Sequence, residues 1–180
     1  LVLPYPPGEI AWPRAWVLIA TIAVATIASI LALARADPAL LAERFGPPVQ
    51  RGQPSADKAI VLLLVATFLG AVRFVPYDVF AWHVLPAPPA AVAALGLAAF
   101  GSGWWVVTAA LSANPCAAPV VKAQAERRQY VVERGPYAVV RHPMYAGGAL
   151  VMLGLPLWLG STAGVLVALV PVAVLALRIV

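Results

Sequence analysis

The sequence predicts an all-α, polytopic membrane protein with about five transmembrane helices and a C-terminal helical hairpin. Three observations carry this. Hydrophobic residues make up 63% of the 180 residues and charged residues only 11%, against roughly 45–50% and 25% in soluble domains. The mean hydropathy is +0.91. The apolar residues run continuously instead of alternating, which favours spanning helices over an outer-membrane barrel. A soluble enzyme, a disordered chain and a disulfide-rich secreted module are excluded; Cys116 is the only cysteine.

A span of about 30 Å of hydrocarbon takes roughly 20 residues. The first span is expected at about 15–35, where Ala15–Ala34 carries no charge, with Trp12 and Trp16 at one end and Arg35 at the other. The second is expected at about 57–75, between Lys58 and Arg73, and to stop at Pro76. The third, about 89–113, follows Pro86-Ala87-Pro88-Pro89, ends at Asn114-Pro115, and carries Trp104 and Trp105 in its last third. The final apolar run, Ala146–Leu177, would make one helix of about 48 Å. Gly160-Ser161-Thr162 divides it, so two short spans are expected, at about 143–159 and 162–180.

Sidedness follows from charge. With five spans, Arg35, Arg44, Arg51, Lys58, Lys122, Arg127, Arg128, Arg134, Arg141 and Arg178 share one side, and only Arg14 and Arg73 lie on the other. The positive-inside rule then puts the N-terminus outside and the C-terminus in the cytoplasm. The net charge of +5 reflects this topology and lipid headgroups and implies no nucleic-acid partner. Arginine over lysine, with abundant Ala, Val, Pro and Gly, is the bias of a GC-rich bacterial genome, so the bacterial inner membrane is the expected location. Residues 1–180 form a single integral-membrane domain.

Polar, aromatic and turn residues concentrate in 114–148. Gly135-Pro136 signals a turn, Val139-Val140 a short apolar grip. His142-Pro143 disfavours helix at His142, so a helix should begin at Pro143. Its unsatisfied N–H groups and positive end, beside Arg141 and His142, suit a carboxylate or other anion. Tyr145 on the first turn can offer a hydroxyl, and Gly147 and Gly148 admit a close helix or a flat ligand. Glu126 and Glu133 read as surface partners of nearby arginines. Asp78 and His83 read as an exposed loop, too sparse for a metal site, and no metal is expected. Trp104 and Trp105 are possible walls of an acceptor tunnel.

Gly135-Pro136-Tyr137 followed by Val140-Arg141-His142-Pro143-Met144-Tyr145-Ala146-Gly147 resembles the signature of the isoprenylcysteine carboxyl methyltransferase family. Phospholipid N-methyltransferases of the same superfamily share a version of it. Val121, Gln124 and Arg127 match the spacing that bacterial members show upstream, and the resemblance covers about 113–180. It implies an integral-membrane enzyme using S-adenosylmethionine, bound by the last hairpin and the polar segment before it, without a Rossmann fold. The family pattern makes Gln124, Tyr137, His142, Pro143, Tyr145 and Gly147 the cofactor-binding residues. Arg141 and Tyr145 are the residues expected to take part in catalysis. Family members continue past an arginine at the position of Arg178 with adjacent glutamates and an amphipathic tail, so a further C-terminal segment is expected.

The implied reaction is an in-line methyl transfer to a lipophilic acceptor entering from the bilayer. A carboxylate acceptor is favoured, because it needs no strong general base. The alternatives are a phospholipid amine or a small thiol on the same scaffold, an NADPH-dependent sterol-type reductase, and a membrane assembly protein without activity.

Overall fold

The computed structural model describes residues 11–36, 53–114 and 132–178. Among them there are five α-helices and no strand. They are α1 (Pro13–Ala36), α2 (Ser55–Tyr77), α3 (Ala90–Ala113), α4 (Pro143–Leu159) and α5 (Thr162–Ala176). A π-helical turn, Asp78–Trp82, extends α2, and a 3-10 turn, Gly135–Ala138, precedes α4.

Local chemistry sets the boundaries. Pro54 and Pro89 stand immediately before α2 and α3, and Pro143 opens α4, where a missing N–H matters least. Gly160 closes α4 at φ +98°, a left-handed conformation that favours glycine. Ser161 then caps α5, its hydroxyl accepting from the Gly164 N–H at 2.7 Å. The hairpin expected at Gly160-Ser161-Thr162 is therefore present.

Two expectations need correction. Pro76 does not stop α2: the helix runs on through Tyr77 into the π-helical turn, with the Asp78 N–H bonded to the carbonyls of Phe74 and Val75. Pro76 is itself buried, and packing offsets the hydrogen bond that its ring removes. Pro156 and Pro171 likewise lie inside α4 and α5. Asp78 is not in an exposed loop: it is 3% exposed and bonded to two other segments.

The closest packing is between α3 and α4. Gly96 lies against Gly154, and Gly103 against Gly147. Both pairs are seven residues apart on their own helix, so the two antiparallel helices meet at two places through bare backbone. The helix ends gather at two ends of the bundle. Asp57 at the start of α2 meets Arg178 just past α5, and Asp78 beyond the end of α2 meets Ser161 before α5. Ser29, late in α1, bonds Thr108, late in α3, at 2.8 Å, and Arg14 and Gly96 near the starts of the same two helices both meet Trp158, so α1 and α3 run the same way.

Leu18, Val75, Phe100, Leu155 and Leu159 form a small common core, with Trp12, Trp104 and Trp158 packed on it. Large apolar side chains such as Ile19, Val24, Leu31, Leu62, Leu69, Leu95 and Val170 are exposed instead, the inverse of a soluble protein. Pro13–Arg35, Ser55–Trp82 and Ala90–Ala113 are long and apolar enough to cross a membrane; α4 and α5 are shorter apolar helices.

Candidate functional site

The polar motif folds at the end of the bundle that holds the C-termini of α3 and α5. Gly135, at φ +62°, opens the 3-10 turn. Val139 and Val140 both donate to the Pro136 carbonyl, at 3.2 and 3.1 Å. Arg134 donates through Nε to the Ala113 carbonyl at 3.3 Å, and the Asn114 amide donates to the Tyr137 hydroxyl at 3.4 Å. The turn is thus fastened to the end of α3.

From there the chain enters α4. The His142 carbonyl accepts from the N–H groups of Tyr145 and Ala146, both at 3.1 Å, and Pro143 beneath it is fully buried. The His142 and Tyr145 rings are neighbours, tilted at 47° with centroids 5.7 Å apart. They border a cleft of about 330 Å³ between the start of α4 and the end of α5. Val140, Ala146 and Ala149 continue the α4 side, and Val172, Leu175 and Ala176 form the α5 wall.

Of the residues singled out from the sequence, His142 and Tyr145 line this cleft together. Arg141 is exposed beside its mouth. Pro143 supports it from below, and Tyr137 lies on the adjoining turn, not in the lining. Gly147 is buried with its open side against α3, where a Cβ would lie 2.6 Å from the Gly103 carbonyl oxygen. Its close approach is to a helix, and it shapes the cleft from behind. Gln124 lies outside the described residues, with 115–131.

The apolar lining carries no chemical signature in the sequence. Its only signal is spacing: 142, 145, 146 and 149 fall on one helical face.

Two further cavities flank Trp104. One of about 380 Å³ lies between α1 and α3, walled by Trp104 and Trp105 over Ala25, Ala28 and Ala32. The other, about 240 Å³, is lined by Phe68, Trp104, Val107, Gly148, Val151 and Met152. Gly148, in the lining of this cavity, also faces Leu175, which lines the cleft. Trp104 donates its indole N–H to Ser29 Oγ at 3.0 Å, which fixes the ring between the two cavities.

The description of the phospholipid methyltransferase family matches residues 91–180, the half of the chain that contains α3, the motif, the cleft and α5. The chain belongs to the phospholipid methyltransferase family. These are integral-membrane methyltransferases related to the isoprenylcysteine carboxyl methyltransferases, as the motif suggested. No curated protein and no solved structure matches the chain. The match makes this a membrane methyltransferase with a lipid-type acceptor. α1 and α2 lie before the matched segment, yet both pack on it.

The cleft is an apolar groove edged by the His142 and Tyr145 rings. Two aromatic rings offer faces to a flat base. Ala146 and Ala149 leave room beside them, and the start of α4 with Arg141 suits a carboxylate.

Proposed function

We propose that this phospholipid methyltransferase family member transfers a methyl group from S-adenosylmethionine to the carboxylate of a lipophilic acceptor, at the cleft between α4 and α5. The observation that carries the reading is the pairing of His142 and Tyr145 on the α4 side of that cleft, within the family segment. When bound, the cofactor supplies an electrophilic methyl on a charged sulfur. His142 and Tyr145 hold the donor, with Pro143 and Gly147 fixing the backbone beneath. Tyr137 and Gln124 complete the binding set from the segment upstream. Arg141 orients the acceptor carboxylate, and the Tyr145 hydroxyl sits beside the reacting groups. The apolar walls Val172 and Leu175 exclude water, which strengthens the attraction between a carboxylate and the positive sulfur. A carboxylate attacks without losing a proton, and among the described residues the cleft lining carries no carboxylate, so His142 is the one side chain there that an amine acceptor could use as a base.

An amine acceptor is the second reading. The family description names phospholipids, and His142 can accept the proton that an amine must lose. Either acceptor would place its chains in the apolar cavity behind Gly148.

Calorimetry on the full-length protein in detergent tests the donor. S-adenosylhomocysteine is expected to bind saturably and NADPH not at all. His142→Ala and Tyr145→Phe should each weaken binding about tenfold, the loss of roughly one charge-assisted contact, with the melting temperature kept. Binding of NADPH alone would move the protein to the reductases. Binding of neither would favour a protein without activity, and unchanged affinity in both variants would remove those residues from the site.

The membrane topology belongs to the same proposal. We place five spans in the membrane, the bacterial inner one, with the N-terminus outside and the cleft on the cytoplasmic side. α4 and α5 are about 25 and 22 Å long, short of a 30 Å core, and their flanking residues and a thinned bilayer accommodate the difference. Their alternating directions support this arrangement. Val139 is 86% exposed at the cleft end. In a Cys116→Ser background, Val139→Cys should react with an impermeant maleimide in inverted vesicles and not in intact cells. The reverse labelling would overturn the orientation.

A further inference from the structure

Arg178 follows the last turn of α5. Its Nε donates to Asp57 Oδ1 at 2.9 Å and its Nη2 to Asp57 Oδ2 at 3.2 Å. The Gln53 amide braces the same carboxylate, donating to Oδ2 at 2.6 Å. The two side chains of the pair are only 12% and 11% exposed. A two-pronged guanidinium–carboxylate contact fixes orientation as well as distance, and its shelter from water limits screening.

The position of this contact gives it meaning. Leu175 and Ala176, three and two residues before Arg178, are the α5 wall of the cleft. α5 has only 15 residues, and the turn that links it to Arg178 tightens, with the Arg178 N–H bonded to the Leu175 carbonyl at 3.2 Å. A short helix frays at its end unless something holds it. Here the holding group comes from the first turn of α2, outside the segment shared with the family.

We propose that Asp57 is a positioning residue for the donor cleft: through Arg178 it sets the place of the Leu175–Ala176 wall opposite His142 and Tyr145. The proposal rests on the reading of this cleft as the donor site. It assigns a functional task to α2, which the family match does not cover.

The test is S-adenosylhomocysteine affinity of the full-length protein, measured beside its melting temperature. Wild-type protein should bind. Asp57→Asn should weaken binding about tenfold, and Arg178→Lys, which keeps the charge but loses the fork, by a smaller factor. The exchange Asp57→Arg with Arg178→Asp should restore affinity to within about threefold of wild type, as expected of a directly coupled pair. Asp78→Asn is the control for general loosening. It weakens the other end of the same two helices and should lower the melting temperature without changing affinity.

Equal affinity in wild type and Asp57→Asn would overturn the proposal while leaving the donor site intact. So would an equal loss of affinity in Asp78→Asn, since the effect would then be one of stability alone. If Asp57→Asn does not fold, the exchanged pair decides: folding with binding supports the proposal, and folding without binding overturns it. No binding by wild type would remove the donor reading itself.

Discussion

Gly103→Ala is expected to destabilise the protein by about 1–3 kcal/mol, although alanine is the better helix former. The added Cβ would lie 2.5 Å from the Gly147 carbonyl oxygen and 2.8 Å from Leu150 Cβ. The first of these is backbone and cannot rotate away, so α3 and α4 must separate. A larger residue, Gly103→Leu, should abolish the folded state. Gly101→Ala supplies the contrast: it is two residues away on the same helix, with nothing within 4 Å of the new Cβ. It should be neutral or slightly stabilising. Thermal unfolding of the three variants in one detergent checks this. Equal melting temperatures for Gly101→Ala and Gly103→Ala would show that α3 and α4 do not meet through these glycines.

Asp78→Ala should be comparably damaging, at the end of the bundle away from the cleft. One carboxylate oxygen accepts from the Ser161 hydroxyl and the other from the Val84 N–H at 2.9 Å. Ser161 is fully buried and also caps α5. Alanine leaves a buried hydroxyl and a sheltered N–H without this acceptor, and each such loss costs about 1–3 kcal/mol. Asp78→Asn keeps one carbonyl oxygen and should fall between. Ser161→Ala removes the cap as well, a further loss of about 0.5–2 kcal/mol. In the double variant Asp78→Ala with Ser161→Ala the losses should not add, because both remove the same contact. Full additivity in thermal unfolding would show that the two groups act independently.

The sequence was legible wherever the cause is local. Pro143 at a helix start and Gly160-Ser161 at a hairpin turn act on their own neighbours, and both stand where the pattern places them. The helices also follow the long apolar runs of the sequence, because continuous apolar composition is written directly into the chain. Pro76 was misread for the complementary reason. The rule that proline ends a helix is a local one, and burial against other helices overrode it. Asp78 and Ser161 are 83 residues apart, and Asp57 and Arg178 are 121 apart. No local pattern announces such pairs.

The site shows the same division. His142 and Tyr145 are visible as a motif, since reactive side chains stand out in an apolar sequence. Leu175 and Ala176 do not, being identical in type to dozens of lipid-facing residues. The seven-residue spacing of Gly96 and Gly103, repeated by Gly147 and Gly154, was present in the sequence. Only the fold shows that the two spacings face each other.

One consequence concerns motion. α5 is fastened to α2 at both of its ends, by a charged fork at one and a buried carboxylate at the other. A bar clamped at both ends does not swing, and α4 is pressed backbone to backbone on α3. Both long walls of the cleft are therefore stiff. On the proposed reading of the cleft, the give needed for a ligand to arrive and leave falls on the arm from Gly135 to His142. Its ties to the end of α3 include two long polar contacts, of 3.3 and 3.4 Å, made by Arg134 and Tyr137. On that reading the door is the motif itself, set in the frame made by α3, α4 and α5.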